Sequence, residues 1–310
     1  MTTASSVDDH SPSEGHVLTD RARLYYRAIG EGRPIIVLHG GPDFDHHYLL
    51  PEMDRLAASF RLVYYDQRGR GRSAGDIQPE EVSIASEIED LDAVRRHFGF
   101  GSAALLGHSW GGVLAMEYAT RHPDRVSHLI LVDTAPGSAE DWLALRQHLP
   151  STRAPGDVER MEAVASSARY QAGDLEAEME YYRIHFSATV PQPERLEQVI
   201  GRLRTHFTEE SVLTARAIEQ RLYDETWRSE GYDLIRKLQA LRIRTLVLHG
   251  ERDFIPVALA ARIARAMPCG RLVVLEACGH FAYVESPDAV HEHVVSLFEE
   301  LSARSEKARL

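Results

Sequence analysis

Two cysteines in 310 residues are too few for a disulfide framework. A chain of this length buries enough apolar surface to fold without covalent staples or a structural metal. Long apolar runs are also missing. No stretch reaches the ~18 residues that a spanning helix needs. The opening MTTASSVDDHSPSEG lacks the apolar segment of a signal peptide. Positive charge is scarce, with 35 Lys+Arg against 47 Asp+Glu and a net charge of -12. Polyanions need a concentrated positive surface, so nucleic acid is not an expected partner. These absences imply a soluble, cytoplasmic protein with no membrane partner. Ligand-binding signatures are missing too. G-x-G-x-x-G, the Walker spacing and H-E-x-x-H do not occur, and His291-Glu292-His293 has the wrong spacing. His46 and His47 are adjacent but have no companion cysteine or paired acidic spacing, so neither a metal nor a cofactor is expected. Cys269 and Cys278 flank a predicted strand and are read as free buried thiols rather than a disulfide.

What is present is a folded-protein composition, 44% hydrophobic and 26% charged with both signs well mixed. At ~150 residues per domain the length allows two domains or one large domain with an insertion. Residues 1–15 read as a flexible tail. The segment from Val17 to Ala28 alternates loosely, as an edge hairpin would. Short β-branched or apolar runs then alternate with helical periods. The runs are 34–39, 61–65, 103–107, 129–132, 245–249 and 271–275. Helices are expected over 48–59, 83–98, 110–121, 257–267 and 289–302. Strands apolar on both faces and separated by helices imply a mainly parallel sheet covered on both sides, an α/β fold. Residues 135–242 break this rhythm. They carry Pro/Gly punctuation and only helical periods, over 158–172, 175–186, 194–207 and 211–226. The reading is a core in two pieces, 16–134 and 243–310, interrupted by a helical cap over 135–242.

Gly107-His108-Ser109-Trp110-Gly111 fits G-x-S-x-G between a predicted strand and a predicted helix. That context demands a sharp turn that exposes Ser109 above the sheet, with small residues where backbones approach. A helix N-terminus also turns N–H groups toward developing negative charge. Serine is a weak nucleophile without a base and an acid to orient that base. The base is read as His280, in Cys278-Gly279-His280-Phe281 after a predicted strand. The acid is Asp253 or its rival Glu251, both just beyond the strand 245–249. His39 and His249 end strands and are read as structural, and His108 as packing or bonding locally. His39-Gly40-Gly41-Pro42 closes the first strong strand. With Ser109 as nucleophile, the N–H groups of Gly41 and Trp110 form the best pair of oxyanion donors.

These residues resemble the α/β-hydrolase superfamily over nearly the whole chain apart from the tail. More narrowly, His39-Gly40-Gly41-Pro42, Tyr65-Asp66-Gln67-Arg68-Gly69-Arg70-Gly71-Arg72-Ser73 and Gly107-His108-Ser109-Trp110-Gly111-Gly112 resemble the proline iminopeptidase family. The resemblance implies a hydrolase core with a helical cap after the sixth strand, and it places the acid at Asp253. It implies a Ser-His-Asp serine hydrolase that releases an N-terminal residue, often proline, from a short peptide. The same resemblance admits a carboxylesterase or amidase acting on small substrates. Two positions depart from the family, Asp43 in place of glycine and Arg70 in place of cysteine.

An aminopeptidase has to bind a cationic amine, and cap acids do this in the family. The acidic segment containing Glu176, Glu178 and Glu180 is one candidate, with Glu176 and Glu180 sharing a helix face that excludes Glu178. Glu209 and Glu210 are others. Tyr181, Tyr182, Trp142 and Trp227, with Phe186, are candidates for an apolar pocket or for cap packing. The expected partner is a small-molecule or short-peptide substrate. A non-catalytic ligand-binding protein on the same fold is the reading from another class, although every triad position is filled. Periodicity does not separate cap packing from subunit contacts, so the oligomeric state stays open.

Overall fold

The structure is a computed structural model that describes residues 11–190 and 192–307. Eight strands form one sheet in the order β1-β2-β4-β3-β5-β6-β7-β8. The strands are β1 (Ser13–Leu18), β2 (Arg23–Ile29), β3 (Arg33–Leu38), β4 (Phe60–Tyr65), β5 (Ala103–His108), β6 (Val126–Val132), β7 (Arg244–Gly250) and β8 (Gly270–Leu275). β1 and β2 form an antiparallel hairpin at the edge, and β2 runs antiparallel to β4. All the other pairings are parallel. β1 starts at Ser13, so the end of the stretch read as tail (13–15) is strand; residues 1–10 of that stretch lie outside the described residues.

Alternation places successive side chains on opposite faces of the sheet. Ile36, Leu38, Leu105, Leu129, Leu131 and Val247 pack on one face with α1 (Ile84–His97) and α2 (Trp110–Arg121). Ile35, Val37, Leu106, Ile130, Val132, Leu246 and Leu248 pack on the other. There they meet Tyr283 of α11 (Ala282–Glu285) and Val294 of α12 (Pro287–Lys307). Double coverage explains why these strands read as continuous apolar runs. Ser83 caps α1 by accepting from Ser86 N–H, and α10 (Val257–Ala266) lies between β7 and β8. The expected helix over 48–59 is instead two 3₁₀ segments, His46–Leu49 and Glu52–Ala58, separated by Pro51. Proline lacks an N–H and disfavours helical geometry in the residue before it.

Between β6 and β7 the described residues form seven α-helices, one 3₁₀ helix (Leu149–Thr152) and no strand of the sheet. The α-helices are α3 (Ala139–His148), α4 (Asp157–Ala165), α5 (Ala168–Gln171), α6 (Leu175–Ser187), α7 (Pro193–Ile200), α8 (Glu209–Glu225) and α9 (Leu234–Leu238). α3 was not anticipated. It is capped by Ser138, whose side chain accepts from Asp141 N–H. The cysteines are free, and Cys269 is exposed rather than buried.

Candidate active site

Ser109 joins β5 directly to α2 with φ 53° and ψ -118°. A non-glycine residue there stores roughly 1–3 kcal/mol of backbone strain, which its surroundings must hold. Small neighbours make the turn geometrically available. A Cβ on Gly107 would lie 2.3 Å from Gly111 O, and one on Gly111 would lie 2.1 Å from Leu38 O. Ser109 N–H donates to Val132 O at 3.1 Å, and its carbonyl accepts from Gly112 and Ala135 N–H. The backbone is therefore pinned from both sides while the half-buried side chain faces a cavity. Trp110 is the first residue of α2, so its N–H has no intrahelical acceptor. Gly41 has φ 111°, a conformation side chains resist, and its neighbours leave no room for a Cβ.

Asp253 lies three residues beyond β7 and His280 five beyond β8. Both strand ends open at the same edge of the sheet as β5, where open α/β folds bind ligands. Both carboxylate oxygens of Asp253 lie 3.0 Å from His280 Nδ1. Ile255 N–H donates to the same carboxylate at 3.0 Å. Glu251, the rival acid, points away and accepts from Ala277 N–H. The His280 ring is jacketed by Phe186 and Phe254, at 5.7 and 4.5 Å between centroids. Burial in this apolar jacket pushes the imidazole down to about 3. Burial pushes the Asp253 carboxyl up to about 7, against the opposing pull of His249 and the Ile255 N–H. The hydrogen bond between the two groups opposes both shifts. At rest the imidazole is neutral, with Nδ1–H donating to Asp253 and Nε2 left as a base.

Buried polar side chains lock the surrounding loops. Tyr48 Oη accepts from Gly40 N–H at 2.8 Å and lies 2.7 Å from His108 Nδ1. His108 Nε2 lies 2.8 Å from the carbonyl of His280. A neutral His108 with its proton on Nε2 satisfies both contacts, accepting from Tyr48 and donating to His280. Burial holds this ring far below its usual pKa. His108 therefore bonds across distant segments, not locally as expected. Asp133, at the end of β6, accepts from Gly250 N–H at 2.9 Å and from Ala282 N–H at 3.0 Å, which ties together the loops carrying Asp253 and His280. Asp133, His249 and Asp253 are close enough to share an ion. However, both Asp133 oxygens already accept backbone N–H groups, and His249 Nε2 lies 2.7 Å from Ile255 O, so this donor set fits loop positioning. His46 pairs with Asp66 at 2.5 Å, and His39 accepts Gln67 N–H at 3.0 Å on Nε2.

The cavity beside Ser109 has a volume of about 540 Å³ and is lined by Gly41, Ser109 and His280 together with residues from α3, α6 and α8. Trp142, Tyr181, Tyr182 and Trp227 all reach its wall. Trp142 and Trp227 are stacked at 4.3 Å, so the same rings also pack the segment together. The acidic candidates on α6 do not reach the cavity. Glu176 and Glu180 are exposed to solvent. Glu178 is fully buried and neutralised by Arg204 at 2.7 Å and by Arg216. The split follows the helix faces, with position 178 turned opposite to 176 and 180. Glu209 and Glu210 are also exposed.

Among the acids of the helical segment, Glu219 of α8 lines the cavity, and the sequence reading missed it. Its position was a usable signal. Buried Ala215 and Leu222 lie four residues before and three after it, so position 219 turns inward on the same helix stripe. Glu219 is half-buried, facing the cavity, and accepts from Tyr223 Oη at 2.8 Å. Burial, and then the charge of Asp43, push its carboxyl up to about 8. Of the two departures from the family pattern, Asp43 lines the cavity, whereas Arg70 is wholly buried and pairs with Glu87 at 2.8 Å and with Gln67.

Residues 33–287 match the sequence profile described as "alpha/beta hydrolase fold", and the chain belongs to that family. It is similar to the proline iminopeptidase of Saccharolobus solfataricus, 27% identical over 283 residues covering 89% of this chain and 88% of the relative. The proline iminopeptidase of Clostridium botulinum is 28% identical over 293 residues, covering 88% and 93%. Among solved structures, the proline iminopeptidase of Mycobacterium smegmatis superposes with a TM-score of 0.70 at 24% identity, covering 94% of this chain and 100% of that one. A thermophilic esterase from Thermogutta terrifontis gives 0.65 at 24% identity, covering 94% and 98%. At these identities the solved structures speak for the fold alone. Among the described residues, no helix is long and apolar enough to cross a membrane.

Proposed function

We propose that this α/β-hydrolase is a serine hydrolase that releases an N-terminal residue, proline-type, from small peptides or aminoacyl amides. The observation that carries the reading is the Asp253–His280 pair, both oxygens 3.0 Å from Nδ1, on the cavity that also holds Ser109. In this reading His280 Nε2 takes the proton of Ser109 as its Oγ attacks the acyl carbon. The C–N bond to the leaving amine then breaks, and the amine receives that proton from His280. Water activated by the same nitrogen releases the acyl group. Asp253 fixes the tautomer and stabilises the transient imidazolium, and the N–H groups of Gly41 and Trp110 hold the oxyanion. No cofactor takes part in these steps.

The peptidase subclass draws support from the names of the relatives and from Glu219, the acid that faces the cavity from α8. A bound ammonium restores the ionised form of a carboxyl that burial has pushed up. In this reading residues 135–242 act as a cap that encloses the amine end of the substrate.

The test is a panel of aminoacyl-naphthylamides, proline included, beside p-nitrophenyl esters, with Ser109→Ala as the control. Turnover and labelling by a fluorophosphonate should disappear in Ser109→Ala while its unfolding curve stays that of the parent. Normal turnover in that variant overturns the mechanism. Equal rates on blocked and free amines overturn the peptidase subclass in favour of an esterase or amidase.

A further inference from the structure

Asp43 holds a carboxylate oxygen with nothing to accept from. The residue is 1% exposed and lies two positions after Gly41 on the cavity wall. Its Oδ2 accepts from Arg204 and from Tyr182 Oη at 2.9 Å. Its Oδ1 is buried and has no hydrogen-bond partner among the described residues. A charged oxygen in that state is costly unless a donor arrives, because the group is desolvated without compensation.

The surroundings stop Asp43 from relieving this by itself. Arg204 is buried and also binds Glu178 at 2.7 Å, and the other oxygen of Glu178 takes Arg216. Two carboxylates and two guanidiniums thus form a neutral chain from the Gly41 loop into the helical segment. Rotating the carboxylate to satisfy Oδ1 would break the bonds to Arg204 and Tyr182. The free oxygen is held in place, and as an ionised carboxylate oxygen it can only accept.

Its location defines what it can accept from. A Cβ built on Gly41 would lie 2.9 Å from Oδ1, so the oxygen sits beside the backbone proposed to hold the oxyanion. The carbonyl being attacked lies within hydrogen-bond reach of Gly41 N–H, and an α-nitrogen is only two bonds from that carbonyl carbon. We propose that Oδ1 of Asp43 accepts an N–H from the substrate's free amine and thereby selects acyl residues with an unblocked nitrogen next to the scissile carbonyl. This rests on the aminopeptidase reading above. It adds a specificity-determining group that comes from the Gly41 loop, not from the helices over the cavity. Glu219 supplies a second carboxylate on the same wall, close enough for Asp43 to raise its pKa.

The experiment compares kcat/KM for prolyl-naphthylamide with kcat/KM for p-nitrophenyl butyrate in the full-length protein. Asp43→Asn and Asp43→Gly should each lower the amide-to-ester ratio by at least tenfold, mainly through KM. A ratio that stays within about threefold of the parent overturns the proposal. So does a parallel loss of both activities and of fluorophosphonate labelling, since that outcome makes Asp43 a purely structural part of the loop. A measurement on the unaltered protein covers the case in which neither variant folds. N-methylprolyl-naphthylamide keeps the charge but removes one N–H, and it should react at least tenfold more slowly than the prolyl substrate. Equal rates overturn the proposal. A parent protein that shows no preference for a free amine removes the aminopeptidase reading itself, a failure visible before any variant is made.

Discussion

Replacing Asp253 with asparagine should separate catalysis from stability. In the proposed mechanism a transient imidazolium on His280 faces a carboxylate whose oxygens are 3.0 Å from Nδ1. At an effective dielectric constant of about 20, opposite unit charges at that distance attract by about 5.5 kcal/mol. At 1.36 kcal/mol per decade this corresponds to about four orders of magnitude in rate. Asparagine also presents an amide that favours the wrong imidazole tautomer, and the same exchange in a serine-protease triad costs about 10⁴. Stability should move the other way. Burial raises the Asp253 carboxyl to about 7, so between about pH 4 and 7 the native state holds a proton that the unfolded chain has released. Stability therefore falls as pH rises through that window and stays lowered above it. The bound on this loss is about 4 kcal/mol, reduced by the hydrogen bond from His280. Asparagine has no such titration. The variant should show kcat/KM down by about 10⁴ on prolyl-naphthylamide, with a Tm at pH 8 equal to or above the parent's. A loss of activity under tenfold, or a Tm at pH 8 more than about 5 °C below the parent's, refutes the reasoning.

Glu219→Gln should raise KM for free-amine substrates by about tenfold, the order of a lost charge-assisted hydrogen bond. In the parent, the carboxyl at about 8 is protonated at low pH, so KM should fall from pH 6 to 8, and the variant should flatten that profile. An unchanged profile removes Glu219 from amine binding. Gly111→Ala should destabilise the protein by about 1–3 kcal/mol in urea unfolding, because the added Cβ meets the Leu38 carbonyl at 2.1 Å. In a free helix the same change would stabilise, so a more stable variant contradicts the close packing under the elbow.

Much of the site was legible because backbone geometry restricts it to few residue types. A serine at positive φ between a strand and a helix needs small neighbours, and Gly107 and Gly111 supply them within a short span. Asp253 and His280 follow apolar strands, and parallel strands in one sheet bring such ends to one edge. The acids at 176, 178 and 180 are a conspicuous cluster in the sequence, but clustering does not say which side chain faces the cavity. Glu178 looked available and is spent on Arg204 and Arg216. Glu219, one acid among several on α8, faces the cavity. The role of His108 was also out of reach, since its partners Tyr48 and His280 are 60 and 172 residues away.

The sequence by itself determined the alternation of strand and helix and the placing of Ser109, Asp253 and His280 just beyond apolar strands, because each depends on local periodicity or a tight turn. Tertiary structure alone decided which charges are neutralised and which remain free. Ion pairing depends on contacts between segments far apart in the chain, and burial, which sets its strength, exists only in the folded molecule. Asp43 illustrates the difference. In the sequence it is an aspartate after His-Gly-Gly-Pro; in the fold it is an acceptor clamped by Arg204 from 161 residues away, with one buried oxygen left without a donor among the described residues beside Gly41.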